Sequence, residues 1–170
     1  MSTLDAHPIA FLQLSGVTGQ SQDRSHKDWM EIKEVNFSAT QPTGGIAAVG
    51  QGVQGAILVT RVLDKATPRL WGAVLGGKRY DEGKLETTSM IANDRKVVDT
   101  YEFKGVTIRS YQVLTEKPQD KSGTTRLVEL VGLGFKELKF THTSYDPVSG
   151  AVKGKQGFTY KAEEGTITEH

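Results

Sequence analysis

Apolar residues recur mostly at every second position in eight segments of the chain, and this period restricts its possible folds more than any other feature. Such alternation is typical of β-strands that bury one face. The segments that carry it are residues 8–14, 29–38, 56–63, 84–91, 96–104, 106–115, 125–143 and 156–162, and Gly132 and Gly134 are candidates for a break within 125–143. Turn-forming stretches separate them, among them Asn93-Asp94, Lys104-Gly105, Glu116–Gly123 and Asp146–Gly150. We therefore predict a mainly β chain.

One segment, residues 64–76, departs from the alternation. It begins with residue types that favour helix starts, an aspartate, a threonine and a proline, and it ends at glycines. Leu70 and Val74 are four residues apart, as are Trp71 and Leu75, which is the spacing of neighbours on a helix. We predict one short α-helix with Leu70, Val74 and Leu75 in the core, while Trp71 lies in the core or at a subunit interface.

The second strand contains a change of phase. Met30 and Ile32 share one parity, whereas Val35 and Phe37 share the other, so a bulge near Lys33-Glu34 is expected. Bulges increase the curl of a sheet and help it to close. We predict that residues 1–170 form one domain, a single β-barrel of two packed antiparallel sheets covered on one side by the helix. Residues 163–170 are assigned to a C-terminal tail.

Charge and cysteine content exclude several classes of protein. The chain has 21 Lys and Arg against 20 Asp and Glu, so it has no bulk positive field for nucleic acid or an anionic membrane. It has no cysteine, which excludes disulfide scaffolds and thiolate metal clusters and suits a reducing cytoplasm. The first residues resemble no Sec signal, and the longest apolar runs are too short to span a bilayer.

A long loop is predicted at residues 38–55, between the second and third strands. It has five glycines and almost no charge, and it carries three isolated aliphatic residues. A solvated loop has no reason to carry such residues, so one interpretation is an arm that becomes ordered on a neighbouring subunit; the other is a plain surface loop. The residues assigned to subunit assembly are Gly44, Gly45, Ile46, Val49, Gly50, Gly52, Val53 and Gly55.

The sequence contains no pattern that predicts catalysis, a cofactor or a metal. Gly50–Gly55 matches the dinucleotide fingerprint in letters, but it leads into a strand instead of a helix N-terminus. Asp23, His26 and Asp28 are close in sequence, but the four histidines are scattered without metal-ligand spacing, so a structural turn is the preferred interpretation. We expect no catalytic residues, no cofactor and no metal.

Several motifs resemble one family in the same element order. They are Phe11-Leu-Gln-Leu-Ser-Gly-Val-Thr-Gly-Gln-Ser, His26-Lys-Asp, Asp64-Lys-Ala-Thr-Pro-Arg-Leu, Phe135-Lys-Glu-Leu-Lys-Phe, Tyr145-Asp-Pro and Gly157-Phe-Thr-Tyr. Together they span about residues 9–162 and are similar to the Hcp family (haemolysin-coregulated protein), the tube subunits of bacterial type VI secretion systems.

The resemblance implies a phage tail-tube-like fold and a chain that assembles with itself into a homohexameric ring. Stacked rings would form the expelled inner tube, which would also bind small effectors in its lumen and meet a spike protein and a sheath. The subunit would be cytoplasmic before firing and then secreted without a signal peptide. Nucleic acid and membrane insertion are not implied. Two alternatives stay open, a tail-tube protein of another contractile particle and a monomeric ligand-binding barrel.

Overall fold

The computed structural model describes residues 9–39, 56–117, 123 and 125–170, and within them it has ten β-strands and one α-helix. In chain order these are β1 (Ala10–Leu14), β2 (Met30–Ile32), β3 (Glu34–Ser38), β4 (Ala56–Val62), α1 (Thr67–Gly76), β5 (Arg79–Ile91), β6 (Asp94–Glu116), β7 (Arg126–Gly134), β8 (Glu137–Tyr145), β9 (Val152–Lys161) and β10 (Thr166–Glu169). The prediction of a mainly β chain with one short helix is confirmed. No helix in these ranges is long and apolar enough to cross a membrane.

The central strand is β6, which pairs with β5 along one side and with two strands along the other. Residues 99–104 pair with β8, whereas residues 107–116 pair with β7. The prediction of a turn at Lys104-Gly105 is wrong, because the strand continues through it. Gly105 has a φ of 62°, which bends the strand where its partner changes from β8 to β7.

The phase change predicted near Lys33 is confirmed as a break between β2 and β3. The β2 segment pairs with β1, the β3 segment pairs with β4, and the Lys33 amide donates to the Thr60 carbonyl. The strands pair in the order β2–β1–β5–β6–β7–β4–β3, and β2 and β3, at the two ends of this order, follow each other directly in the chain. The core includes Leu12, Leu14, Met30, Ile32, Val59, Leu85, Phe103, Val106, Val131 and Leu133.

Helix α1 covers this core from one side. Leu70 is fully buried and Val74 packs half-buried against the core, but Leu75 is 78% exposed, so its assignment to the core is wrong. Ala73 lies on the inward face instead, because residues three and four positions after Leu70 share its side of the helix. Gly77 ends the helix in the left-handed conformation, with a φ of 64°.

Strands β8, β9 and β10 extend beyond the core as three antiparallel strands, which we call the wing (residues 137–169). The assignment of residues 163–170 to a tail misses β10, which pairs with β9 from Thr166 to Glu169. The assembly residues of the predicted loop, Gly44 to Gly55, lie outside the described residues.

Candidate assembly surfaces

The solvent-facing side of α1 is apolar apart from Arg69. Its apolar residues are Pro68, Trp71, Gly72, Leu75 and Gly76, all exposed, and we call them the helix patch. A Cβ atom added at Gly72 or at Gly76 would meet no atom within 4 Å, so both glycines leave the helix surface flat and open. Trp71 stacks on Tyr111 of β6 at 5.7 Å and remains 52% exposed. The helix patch has no charged side chain to keep it solvated.

One side of the wing carries a ladder of apolar and aromatic residues, the wing face (Leu138, Phe140, Phe158, Tyr160 and Ile167). The strand register places these side chains together, because Leu138 pairs with Tyr160, Phe140 with Phe158, and Ile167 with Tyr160. The ladder continues from the core through Tyr101, whose ring lies 4.9 Å from that of Phe140. Ile167, at the free edge, is 64% exposed.

A third apolar surface, the aliphatic stripe (Leu58, Val62 and Leu114), lies on the opposite side of β4 and β6 from the helix. Each of these residues is between 38% and 39% exposed. Val62 and Leu114 both pair with Val128 of β7, so the stripe crosses three strands. Lys33, Glu116 and Arg126 form ion pairs at its end.

The side of β5, β6 and β8 that faces the same way as the aliphatic stripe carries charged residues, and we call it the charged face. Its rows alternate in sign across the strands, Glu82–Lys104–Glu137 in one and Lys84–Glu102–Lys139 in the next. These side chains, with Gln13 and Ser15, line an open groove of about 520 Å³. Opposite charges lie beside each other in every direction, so this face is nearly neutral and strongly hydrated.

A buried ionic cluster holds α1 to the sheet. Arg61 of β4 bonds to Glu129 of β7 and, at 2.5 Å, to Asp64, and all three side chains are at most 5% exposed. The hydroxyl of Thr67, in the first turn of α1, donates to Glu129 at 3.2 Å. Asp64 accepts the Ala66 amide at 2.7 Å and so stabilises the helix start. The cluster therefore ties the first turn of α1 to β4 and β7.

Tyr111 completes this cluster and connects it to the helix patch. Its hydroxyl donates to Glu129 at 2.6 Å while its ring supports Trp71. Burial, together with the hydrogen bond to the Glu129 carboxylate, raises the pKa of Tyr111. The phenol therefore stays a donor, and the position of Trp71 depends on a network of buried polar groups.

The loop before β2 is folded around His26. The loop closes because Gly19 approaches the chain at Trp29, where an added Cβ would lie 2.3 Å from the carbonyl oxygen. The His26 ring stacks on Phe11 at 4.1 Å, and its Nδ1 and Nε2 lie 2.7 Å from Asp23 and 2.8 Å from Glu86. The preferred interpretation of a structural turn fits this geometry. Asp28 adopts a φ of 63° in the turn, and the described residues contain no group that could hold a metal.

The contacts of His26 favour its charged form. Burial lowers the pKa of His26, but hydrogen bonds to Glu86 and Asp23 outweigh it and leave the pKa above its ordinary value. The bond from His26 lowers the pKa of Glu86, and that of Asp23 is also lowered, because its hydrogen bonds outweigh burial. Since Glu86 lies on β5, 60 residues away, the triad ties the loop to the sheet.

We expect His26→Gln to reduce the free energy of unfolding by about 1–3 kcal/mol, most strongly between about pH 4.5 and 6.5. The histidine's contribution is complete below its ordinary pKa of 6.5 and is lost as pH rises through its raised folded-state pKa. The Glu86 contribution is present above its ordinary pKa of 4.5 and is lost as pH falls through its lowered one. Urea unfolding between pH 4 and 9 measures this.

His142→Gln is the matched control for that experiment. His142 also bonds to an aspartate, Asp99, but it is 51% exposed. Its replacement should change the free energy of unfolding by less than about 0.5 kcal/mol at every pH. A His26→Gln profile parallel to that of the wild type would contradict the triad's role.

Sequence reasoning did not identify the charged members of these sites. Arg61 and Glu129 lie in apolar strands at positions of inward parity, between Val59 and Leu63 and between Leu127 and Val131 respectively. A charged residue at such a position needs a buried partner of opposite charge. The presence of one basic and one acidic residue at such positions could therefore have predicted this ion pair from the sequence. Glu86 could not be assigned to His26 without the fold, because only strand register brings them together.

A comparison with protein-family models matches residues 11–142 to the type VI secretion system effector family Hcp. No curated protein sequence matches the chain. Among solved structures, a type six secretion system protein is 22% identical to this chain with a TM-score of 0.75. The match covers 94% of this chain and 98% of that one.

Two further solved structures have the same fold. Hcp1 from Salmonella typhimurium is 20% identical with a TM-score of 0.69, and the match covers 94% of this chain and 97% of that one. A type VI secretion system effector from Yersinia pestis is 19% identical with a TM-score of 0.65, over 89% of this chain and 98% of that one. The structural matches establish the fold, the family model covers most of the residues described above, and the chain therefore belongs to the Hcp family of type VI secretion tube subunits.

Proposed function

We propose that this chain assembles into hexameric rings and that the rings stack into the expelled inner tube of a type VI secretion system. The observation that carries this proposal is the presence of three apolar surfaces, the helix patch, the wing face and the aliphatic stripe, on one small domain. Soluble monomers rarely leave so much apolar surface uncovered, whereas a subunit with neighbours beside, above and below needs several contacts.

Charge balance supports stacking. With 21 basic and 20 acidic side chains, the formal net charge is +1, so repulsion does not build up as rings are added. We assign ring-to-ring contacts to the loop of residues 38–55 together with the aliphatic stripe, whose strand β4 begins directly after that loop. Five glycines make the loop costly to order alone, and a neighbouring protomer offsets this by burying Ile46, Val49 and Val53.

Replacing residues 42–53 with a short Gly/Ser linker should leave the fold intact and weaken the assembly of tubes. The expected result is an unchanged thermal melt by circular dichroism, with fewer or shorter tubes in electron micrographs of the same sample. Tubes as abundant and as long as those of the wild type would mean that the segment is a plain surface loop with no part in assembly.

The charged face suits a wall that meets water and passing cargo. It is concave, hydrated and nearly neutral, so it holds small effectors weakly and releases them. We propose that the chain binds other copies of itself, such effectors, the spike protein and the sheath. We propose that it binds neither nucleic acid nor lipid. The protein acts structurally and without catalysis, is held in the bacterial cytoplasm before firing and leaves the cell through the machine itself.

Light scattering coupled to size exclusion tests the ring. The proposal predicts a species of six times the 18.5 kDa chain mass, and a species of a single chain mass would instead favour the monomeric ligand-binding barrel. Calorimetric titration with nucleotides tests the absence of a cofactor, and low-micromolar binding would contradict it.

A further inference from the structure

We propose that the ring interface is formed by the helix patch of one protomer packing on the wing face of the next. This inference rests on the proposed function and goes beyond it, because it assigns the two halves of the contact to named residues. A ring is closed by a heterologous contact, in which each protomer contributes two different surfaces that do not overlap. The helix patch is supported by Tyr111 in the β7-paired half of β6, whereas the wing is paired to the other half of β6 through β8.

The helix patch is costly in a free monomer. Glycine is less favourable in a helix than alanine, and α1 carries Gly72 in its interior and Gly76 at its last position, both on its exposed side. Neither glycine relieves a contact within the protomer, since each would have open space around an added Cβ. A flat helix side between Trp71 and Leu75 is useful only when another surface approaches closely.

The wing face has the matching shape and chemistry. It is a sheet surface whose aromatic rings, Phe140 and Phe158, lie 5.5 Å apart, with Ile167 at the free edge. A helix packs well on such a surface, because its projecting side chains fit between those of the strands. Trp71 and Leu75 are the projecting side chains of the helix patch, and the two glycines allow close approach.

Charge at the rims favours the same pairing. Arg69 is exposed beside the helix patch, and Glu169 is exposed at the edge of the wing face, where it pairs in register with Phe158. Within the described part of the chain, the side chains of Arg69 and Glu169 have no ion-pair partner. A helix lying across the wing would bring the guanidinium and the carboxylate to the rim of one contact.

Two variants, each defective in one half, test the assignment. Leu75→Glu places a charge in the helix patch, and Ile167→Glu places one in the wing face; both positions are exposed, so the protomers should keep their circular dichroism melts. Each variant alone should be monomeric under conditions in which the wild type is hexameric. Mixed in equal amounts, they should form dimers of twice the chain mass and no rings, because only one intact contact remains between them.

Val148→Glu is the control, since it introduces the same charge at a position 87% exposed in the turn between β8 and β9 and should leave hexamers intact. Arg69→Glu and Glu169→Arg provide a second test that leaves both apolar surfaces unchanged. Each single variant should raise, by at least tenfold, the protein concentration at which half of the rings dissociate. The double variant should return that concentration to the wild-type value.

The outcomes separate the two proposals. A wild-type protein that forms no rings would refute the proposed function itself. Hexamers that persist in Leu75→Glu or in Ile167→Glu, a mixture that stays monomeric, or a control that also loses rings would overturn the assignment of the interface while leaving the tube subunit intact.

Discussion

Arg61→Met is expected to lower the free energy of unfolding by about 3–5 kcal/mol, because it leaves the carboxylates of Glu129 and Asp64 buried without their cation. Glu129 is fully buried and would keep only the hydroxyls of Thr67 and Tyr111. The helix patch should shift at the same time, since Tyr111 supports Trp71. Urea unfolding measures the first effect and tryptophan fluorescence reports the second.

The double variant Arg61→Met/Glu129→Leu is the informative control. Removing Glu129 together with Arg61 leaves Asp64 as the one carboxylate of the cluster without its cation, so part of the lost stability should return. A single Arg61→Met variant within about 0.5 kcal/mol of the wild type would show that the cluster contributes no stability. A double variant as unstable as the single one would show that packing, and not charge, causes the loss.

Leu70→Ala is expected to cost about 2–5 kcal/mol, the range for a large aliphatic side chain removed from a well-packed core. Leu70 is fully buried on the inward side of α1, in contact with the core cluster. The measurement is urea unfolding at a protein concentration low enough to keep the chain monomeric, because assembly would add stability by mass action.

Leu75→Ala is the matched control, with the same chemical change on the same helix. Leu75 is 78% exposed, so the free energy of unfolding of the monomer should change by less than about 0.5 kcal/mol. A loss at Leu75 equal to that at Leu70 would contradict the orientation of α1 described here.

Strand alternation and the helical spacing of residues 70–75 were sufficient to predict the class of fold, but the expected capping by Asp64 or Thr67 was wrong, because Ala66 is the N-cap residue and has no side-chain cap. The strands β1 to β4 begin and end within two residues of their predicted limits, and the break at Lys33 follows from the change of parity alone. The prediction of a turn at Lys104-Gly105 was wrong because a glycine with positive φ can bend a strand as well as end it. Local sequence does not distinguish the two; the pairing partners on each side do.

The candidate surfaces were less predictable than the fold. Leu75 was placed in the core because helical spacing shows which residues share a face, but not how wide the buried face is. The wing face depends on β10, a short strand in a segment assigned to a tail, and on register between strands distant in sequence. Trp71 was left between core and interface; it stacks on Tyr111 outside the buried core and is 52% exposed, and its place at a subunit interface stays a prediction.

Negative-stain electron microscopy of the purified protein shows whether the chain forms rings. We expect closed rings with six-fold symmetry, and we expect Leu75→Glu to remove them while the chain stays folded. Micrographs of the wild type that contain only single globular particles, at concentrations where its folding is confirmed, would contradict assembly into a ring.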